Sequence, residues 1–377
     1  MSACDDCLRR AWLLGDLAGH IERGPRRTEA LALASPDLIA AFGGSDRATI
    51  RDRHARFDAR RARDAVTAAG LTSCCPHHPS YPEPLGDLSD PPAALFVAGR
   101  QETLAVLGVD EGAVPAVGIV GARRCAGEGE EVAHALGHDL AAAGVCVVSG
   151  LALGIDSAAH RGAVAAPHAR PLRPGGPTIA VLAGGADVIY PPSARGLYAR
   201  ILEVGCALSE MPPGVRPRKW SFPARNRIIA ALSQMTVVVQ ARGRSGSLIT
   251  ADLAMQLGRP VGAVPGPVTR ALSHGANALL HDGAYVIRDA RDVLDVMLPG
   301  YQPGPRPAPQ LTLEPELASA LDAVEAGCTT AGEVAAARGH SGATALTALT
   351  RLELLGLVRR DPAGRYLRAV ANGAPLL

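Results

Sequence analysis

The sequence predicts an α/β protein: a doubly wound, mostly parallel sheet, with a helical segment before it and a winged helix after it. Three observations carry that prediction. From residue 115 to about 298, short apolar runs alternate with helix-patterned ones. Near-continuous apolar strands in such an alternation belong to a parallel sheet covered on both faces. Residues 1 to about 72 are instead short helical patterns rich in Arg, Ala and Leu. Beyond a Pro-rich stretch, PGYQPGPRPAPQ at 299–310, the order helix, helix–turn–helix, hairpin is that of a winged helix.

In the first segment Trp12, Leu13, Leu14 and Leu17 make one apolar helix face, ending near Gly24 and Pro25. Ser35 and Pro36 open a short helix by N-cap and first-turn preferences, and Phe42-Gly43-Gly44 closes it. Residues 46–69 carry arginines along a helix, from Arg47 through Arg63. A solvated face is the simpler reading of these and DNA-backbone contact the alternative. Two Cys-rich fragments flank the segment, Cys4-x-x-Cys7 and Cys74-Cys75-Pro76-His77-His78. Cys4, Cys7, Cys75 and His77 could supply a structural zinc set. The second cluster is irregular, however, so reduced, unliganded cysteines are the leading expectation and no metal is assigned. Tyr81-Pro82 and Asp90-Pro91-Pro92 mark an extended connector into a short strand at 94–97.

In the central region strands are expected at 116–120, 145–149, 178–183, 207–209, 237–240, 261–264 and 284–287. Helices are expected near 128–143, 155–165, 193–204, 224–233, 247–257 and 275–281. Ligands of such sheets gather at the carboxyl ends of the strands, and the unusual residues sit there. Arg123 follows the first strand, Ser149 and Gly150 end the second, and Gly184-Gly185 follows the third. The segment after Ser209-Glu210 leads to Lys219, the one lysine among 38 basic residues, followed by Phe222, Arg225, Asn226 and Arg227. Ser245, Gly246 and Ser247 open a helix after the fifth strand. A Gly/Ser turn into a helix presents free N–H groups and a partial positive charge. Basic residues with an aromatic among them are what grips single-stranded nucleic acid. Taken singly each glycine turn is ordinary strand–helix geometry; arrayed on one rim they read as a long groove for an anionic ligand.

Composition bounds the rest. With 377 residues and 47% hydrophobic ones the chain folds as two or three domains. Net charge is only +2, so nucleic-acid contact must come from local patches. No apolar run approaches the roughly 20 residues of a membrane helix, and the acidic start MSACDDCLRR does not suit a signal peptide. A cytoplasmic protein is therefore expected, with thiols rather than disulfides. Gly150-x-x-x-Gly154 lacks dinucleotide-site spacing, and no glycine loop is followed by a Walker lysine. Pro174-Gly175-Gly176-Pro177-Thr178 precedes a strand rather than opening a helix, and reads as a surface loop in an insertion at 167–177.

In the last region helices are expected at 314–326, 334–338 and 344–355. Thr330 and Glu333 form a capping box, and a hairpin follows through 356–367. Arg351 is the one basic residue on the helix that would read a groove, beside Glu353, which makes it a weak reader of duplex DNA.

The motifs VGARR, SGLALGID, DVIYPP, SEMPPG, FPARNRIIAALS, SGSLITADLA, VPGP and HGANALLHDGA together resemble the DprA/Smf family of DNA-processing proteins, densely over about 82–298. The resemblance implies an extended Rossmann-like core at 81–298 and a SAM-like helical domain at 1–80. A linker at 299–312 and a winged helix at 313–372 complete it. It also implies a homodimer that binds and protects single-stranded DNA irrespective of sequence; no Ser/His/Asp set, paired carboxylates or lysine–glycine phosphate loop stands out as an active site, so no catalytic activity and no cofactor are expected. Such a protein promotes RecA loading in natural transformation or homologous recombination. By that resemblance a DNA-contacting arginine falls on Arg123, the phosphate-gripping lysine and stacking aromatic on Lys219 and Phe222, and the Arg-Asn-Arg turn on residues 225–227. Ala122 and Cys125 stand where the family often has hydroxyl residues, which weakens one expected phosphate contact. Asp156, His160 and Glu210 are the nearest candidates for an active site, with Asp156 read as a helix cap. Two rival readings stay open: a nucleotide hydrolase of the phosphoribohydrolase type, which would need a catalytic glutamate beside a PGGxGT loop opening a helix, and a winged-helix regulator of duplex DNA.

Overall fold

A computed structural model describes residues 2–24, 30–105, 107, 113–167, 178–298, 313–339, 341–355, 357–361 and 364–368. Among the described residues four α-helices lead the chain: α1 (Asp5–Arg23), α2 (Ser35–Phe42), α3 (Arg47–Ala55) and α4 (Ala59–Ala68). The expected single arginine-bearing helix at 46–69 is thus two. Asp58 causes the break, because its carboxylate accepts from the Arg60 and Arg61 amides and starts a new helix. Helix α2 begins with Ser35 inside its first turn and Ala34 at the cap, one position earlier than the cap rules suggested.

Nine strands then form one sheet: β1 (Thr72–Cys74), β2 (Leu95–Gly99), β3 (Ala116–Val120), β4 (Cys146–Ser149), β5 (Thr178–Val181), β6 (Cys206–Ser209), β7 (Met235–Val238), β8 (Val261–Ala263) and β9 (Tyr285–Val286). Their order is β1-β2-β6-β5-β4-β3-β7-β8-β9. The seven strands β3 to β9 are mutually parallel. β2 runs antiparallel to β6, and β1 antiparallel to β2. The sheet therefore begins at Thr72, ahead of the boundary expected at 81.

Between the strands lie α5 (Glu102–Ala105), α6 (Gly127–Ala142), α7 (Ile155–Ala165), α8 (Arg195–Val204), α9 (Ser221–Leu232), α10 (Gly246–Gln256) and α11 (His274–His281), and α12 (Ala290–Met297) follows β9. Alternating strand residues face two apolar layers. Val117, Ile119 and Val147 pack with Leu136 and Leu140 of α6 and Ala158 of α7. Val120 and Val148 pack on the other side with Ile228 and Ile229 of α9 and Ala254 of α10. Both faces are covered, which is why the strands read as continuous apolar runs.

The leading helices and the sheet form one compact unit, Met1–Gln302. Leu14, Leu17 and Ile21 of α1 share a core with Met211 and Trp220. The indole Nε1 of Trp220 donates to the Ala18 carbonyl at 2.9 Å. A second unit, Pro303–Leu377, holds α13 (Pro315–Glu325), α14 (Ala331–Arg338), α15 (Gly342–Leu354) and the antiparallel pair β10 (Val358–Arg360) and β11 (Tyr366–Arg368). The capping box of Thr330 and Glu333 is present. Arg351 of α15 is engaged with both carboxylate oxygens of Glu314, at 2.8 and 2.9 Å. The expected linker at 299–312 and most of the insertion at 167–177 lie outside the described residues. Among the described residues no helix is long and apolar enough to cross a membrane.

Candidate nucleic-acid interface

The order of strands reverses at β3, with all of them parallel: β4, β5 and β6 extend from one side of it, β7 and β8 from the other. The loops after β3 and β7 diverge there, which makes the switch crevice of a doubly wound sheet. Gln240 spans its floor. Its carbonyl accepts from the Ala122 amide at 2.7 Å and its Oε1 from the Ala126 amide at 3.0 Å. The loop carrying Arg123 is held from the other side by Gly154, whose φ of 76° and contact with the Ala122 carbonyl leave no room for a side chain.

Arg123 is exposed, and its guanidinium carbon lies 4.7 Å from the centroid of the Phe222 ring. The Phe222 ring is also 5.7 Å, centroid to centroid, from Tyr190, at 56°. This is a cation–π contact joined to a tilted aromatic pair. Tyr190 is 51% exposed, so part of the side chain is open to a ligand. Sequence reasoning overlooked Tyr190 as a site residue; the available signal was an aromatic placed just after a strand end, in DVIYPP.

Lys219 is exposed and Trp220 buried, because Trp220 turns under α1. Its amide donates to the Glu22 carboxylate at 3.1 Å. Ser221 clamps the turn: its Oγ accepts from the Arg218 amide at 2.9 Å and its own amide donates to the Arg218 carbonyl at 3.1 Å. The turn so fixed carries Lys219 outward at the N-terminal end of α9, where the helix dipole adds positive potential. One turn into α9, Asn226 Nδ2 donates to the Gly246 carbonyl at 3.2 Å, linking this turn to the α10 loop. Ser245 caps α10 through the Ser247 amide, and the two hydroxyls lie 2.8 Å apart. Ser247 is buried, whereas Gly246 is exposed.

Several expected groove residues lie inside instead. Arg227 is buried; its guanidinium meets the Glu210 carboxylate at 2.9 and 2.7 Å and Asp90 at 3.0 Å. Burial alone would lower its pKa, but Glu210 and then Asp90 overcome that and hold it above the ordinary value. Arg225 is also buried and donates to the Val181 carbonyl. Burial lowers its pKa to about 10, with Asp156 opposing and Arg123 adding to the fall. A Cβ at Gly150 would overlap this guanidinium, so Gly150 serves close packing. Ser149 is buried, with its hydroxyl donating to the Ile119 carbonyl at 2.6 Å. The Ala152 amide donates to Asp156 at 3.4 Å, and the Gly150 amide also acts on that carboxylate. The loop after β4 thus spends donors on its own carboxylate. Arg225, Arg227, Ser149 and Gly150 shape the floor of the rim and do not present phosphate-binding groups at its surface.

The candidate enzymatic groups share that fate. Burial raises the Asp156 pKa, against Arg225, the Ala152 amide, Arg123 and the Gly150 amide. His160 is fully buried, its Nδ1 2.6 Å from the Thr178 hydroxyl, which itself donates to the Val147 carbonyl. Burial and then Arg225 hold its pKa down to about 3, from an ordinary 6.5. The unfolded chain therefore takes up this proton near pH 6.5, while the folded one resists until about pH 3. Stability from His160 is complete above pH 6.5 and drains as pH falls. The raised Asp156 works in the opposite sense, so the test compares the parent with His160→Gln. Between about pH 6 and pH 4 the parent loses stability faster, approaching one proton's slope of about 1.4 kcal/mol per pH unit. Denaturant midpoints with parallel pH profiles would refute it.

The family model for DNA recombination-mediator protein A matches residues 72–298. Protein Smf of Synechocystis is 35% identical over 326 residues, covering 78% of this chain and 79% of its own. The X-ray structure of DNA processing protein A from Streptococcus pneumoniae superposes with a TM-score of 0.59 at 32% identity, over 78% of this chain and 98% of that one. DNA processing protein A from Helicobacter pylori, whose structure is described as giving insight into its unique single-stranded DNA binding mode, gives a TM-score of 0.50 at 31% identity, over 59% of this chain and 94% of that one.

Proposed function

The chain belongs to the DNA recombination-mediator protein A family, and from that premise we propose that it binds single-stranded DNA without sequence preference, protects it and promotes loading of RecA. One observation carries the proposal: exposed Arg123, half-buried Phe222 and exposed Tyr190 lie together on the rim, with Lys219 held outward three residues before the ring. Every base has a π-face and every nucleotide a phosphate, so stacking joined to positive charge binds any sequence. The Helicobacter pylori relative that binds single-stranded DNA supports the same reading. The role is binding without catalysis, since Asp156, His160 and Glu210 are committed to the interior. The protein acts in the cytoplasm as a homodimer.

The leading helices suit a SAM-like domain over 1–80 and the core one over 81–298. The three helices and hairpin of the last unit suit a winged helix over 313–372. With Arg351 paired to Glu314, that unit is a poor reader of duplex sequence.

The test is equilibrium binding of the purified full chain to a fluorescent single-stranded oligonucleotide and to its duplex, across a salt series. Tight binding of several unrelated single strands is expected, with log K falling by roughly 0.7 per phosphate contact for each log unit of salt. Preference for one duplex would move the function to the last unit. Release of free base from a nucleoside monophosphate would replace binding with hydrolysis.

A further inference from the structure

Far along the sequence from the rim, the fold brings four metal-binding groups to one point. Cys4 and Cys7 lie at the start of α1, three residues apart and so on one face of its first turn. Cys75 and His77 lie just past β1. The four ligand atoms are all within 4.8 Å of one another. His77 Nδ1 is 3.5 Å from Cys4 Sγ, 3.5 Å from Cys7 Sγ and 3.9 Å from Cys75 Sγ. A tetrahedral zinc with Zn–S of about 2.3 Å and Zn–N of about 2.1 Å needs N···S separations of about 3.6 Å. The observed spacing brackets that value.

The surroundings select these four groups. Cys74 is excluded by strand alternation: it packs in a different core from Cys75. His78 stays outside the converging group, with its Nδ1 accepting from the Ser80 amide at 3.1 Å. The His78 amide donates to the Cys75 carbonyl at 2.8 Å, closing a turn with Pro76 at its second position. That turn aims His77 back at the thiols. The Cys4 amide points at Cys75 Sγ at 3.4 Å, and the Ala3 amide donates to Ser73 Oγ at 3.2 Å. These hold the chain start beside β1, and N–H groups of this kind support a thiolate.

We infer that Cys4, Cys7, Cys75 and His77 form a structural zinc site that fastens the start of α1 to the sheet edge at β1. Four protein ligands close the tetrahedron, so no position is left for substrate. The ion ties together residues 73 positions apart, Cys4 and His77. Such a link restricts the unfolded chain most when the loop is long. It anchors the helix whose far end packs against Trp220, next to Lys219.

Metal content of the full chain, purified under reducing conditions without chelator, is the first readout; about one zinc per chain is expected. Exchange with cobalt should give the intense visible bands of a tetrahedral site and a thiolate-to-cobalt charge-transfer band in the near ultraviolet. His77 is exposed, so His77→Ala removes a ligand without opening the core. It should lose zinc to a chelator at least tenfold faster than the parent, while Cys328→Ser, in the other unit, matches the parent. Substoichiometric metal with no thiolate–cobalt band would overturn the inference. A Cys4–Cys7 disulfide under the same conditions would do so too, and stoichiometric iron would overturn the zinc assignment.

Discussion

With Lys219 and Phe222 both changed to alanine, the full chain loses at least about tenfold in affinity for a single-stranded oligonucleotide and keeps its thermal midpoint. Base stacking on an aromatic contributes roughly 1–3 kcal/mol by alanine substitution, or roughly 5- to 150-fold. Loss of the lysine removes one phosphate contact and flattens the salt slope by roughly 0.7. The two losses come from different parts of the nucleotide, so both are expected in one variant. Phe222 also seats Arg123 and Tyr190, which places the ring at the centre of the stack. Lys219 is exposed and Phe222 only half-buried, so the core does not depend on either. An affinity within twofold of the parent, with an unchanged salt slope, would remove these residues from the interface. A lowered thermal midpoint would instead point to a packing role for the ring.

Arg227→Met has the largest expected effect on stability: a loss of about 3–5 kcal/mol, read as a lower denaturant midpoint. The side chains of Arg227 and Glu210 are 6% and 5% exposed, and Asp90 is 15% exposed. Removing the cation strands two carboxylates in low dielectric. The penalty comes from those orphaned charges more than from the pair's net worth. Adding Glu210→Gln and Asp90→Asn to the same chain should therefore recover a large part of the loss. If the single variant fell within about 0.5 kcal/mol of the parent, as surface substitutions usually do, the network would have no structural weight. A triple variant no better than the single would show that the methionine itself fits badly. DNA affinity should fall as well, because α9 carries Phe222 in its first turn and Arg227 anchors that helix to Asp90, in the connector before β2.

The two arginines of the Arg-Asn-Arg turn show where sequence reading stopped. On α9, Arg225 stands in register with Ile228, Ile229 and Leu232, the spacing of one helix face. That pattern was a usable sign that Arg225 points inward. It was outweighed by the charge itself, since arginines are rarely buried unless paired. No local pattern reports the partners of Arg227: Glu210 is 17 residues away and Asp90 is 137. Gly150 and Ser149 misled for a related reason. A glycine turn entering a helix suits a phosphate, and here the helix supplies its own anion, Asp156, two residues into α7.

By itself the sequence determined the alternation of seven parallel strands with helices, the rim on which unusual residues collect, and the family. It also placed Arg123, Lys219 and Phe222 on that rim. All of these follow from side-chain period, turn chemistry and motifs, which are written along neighbouring residues. Only the tertiary structure decided which basic residues face solvent, that Tyr190 completes the stack, that α1 shares a core with Trp220, and that the two Cys-rich fragments converge. Those outcomes depend on burial and on partners tens to hundreds of residues apart. A buried charge goes where its counter-charge lies, and that place is set only once the sheet has brought distant segments together.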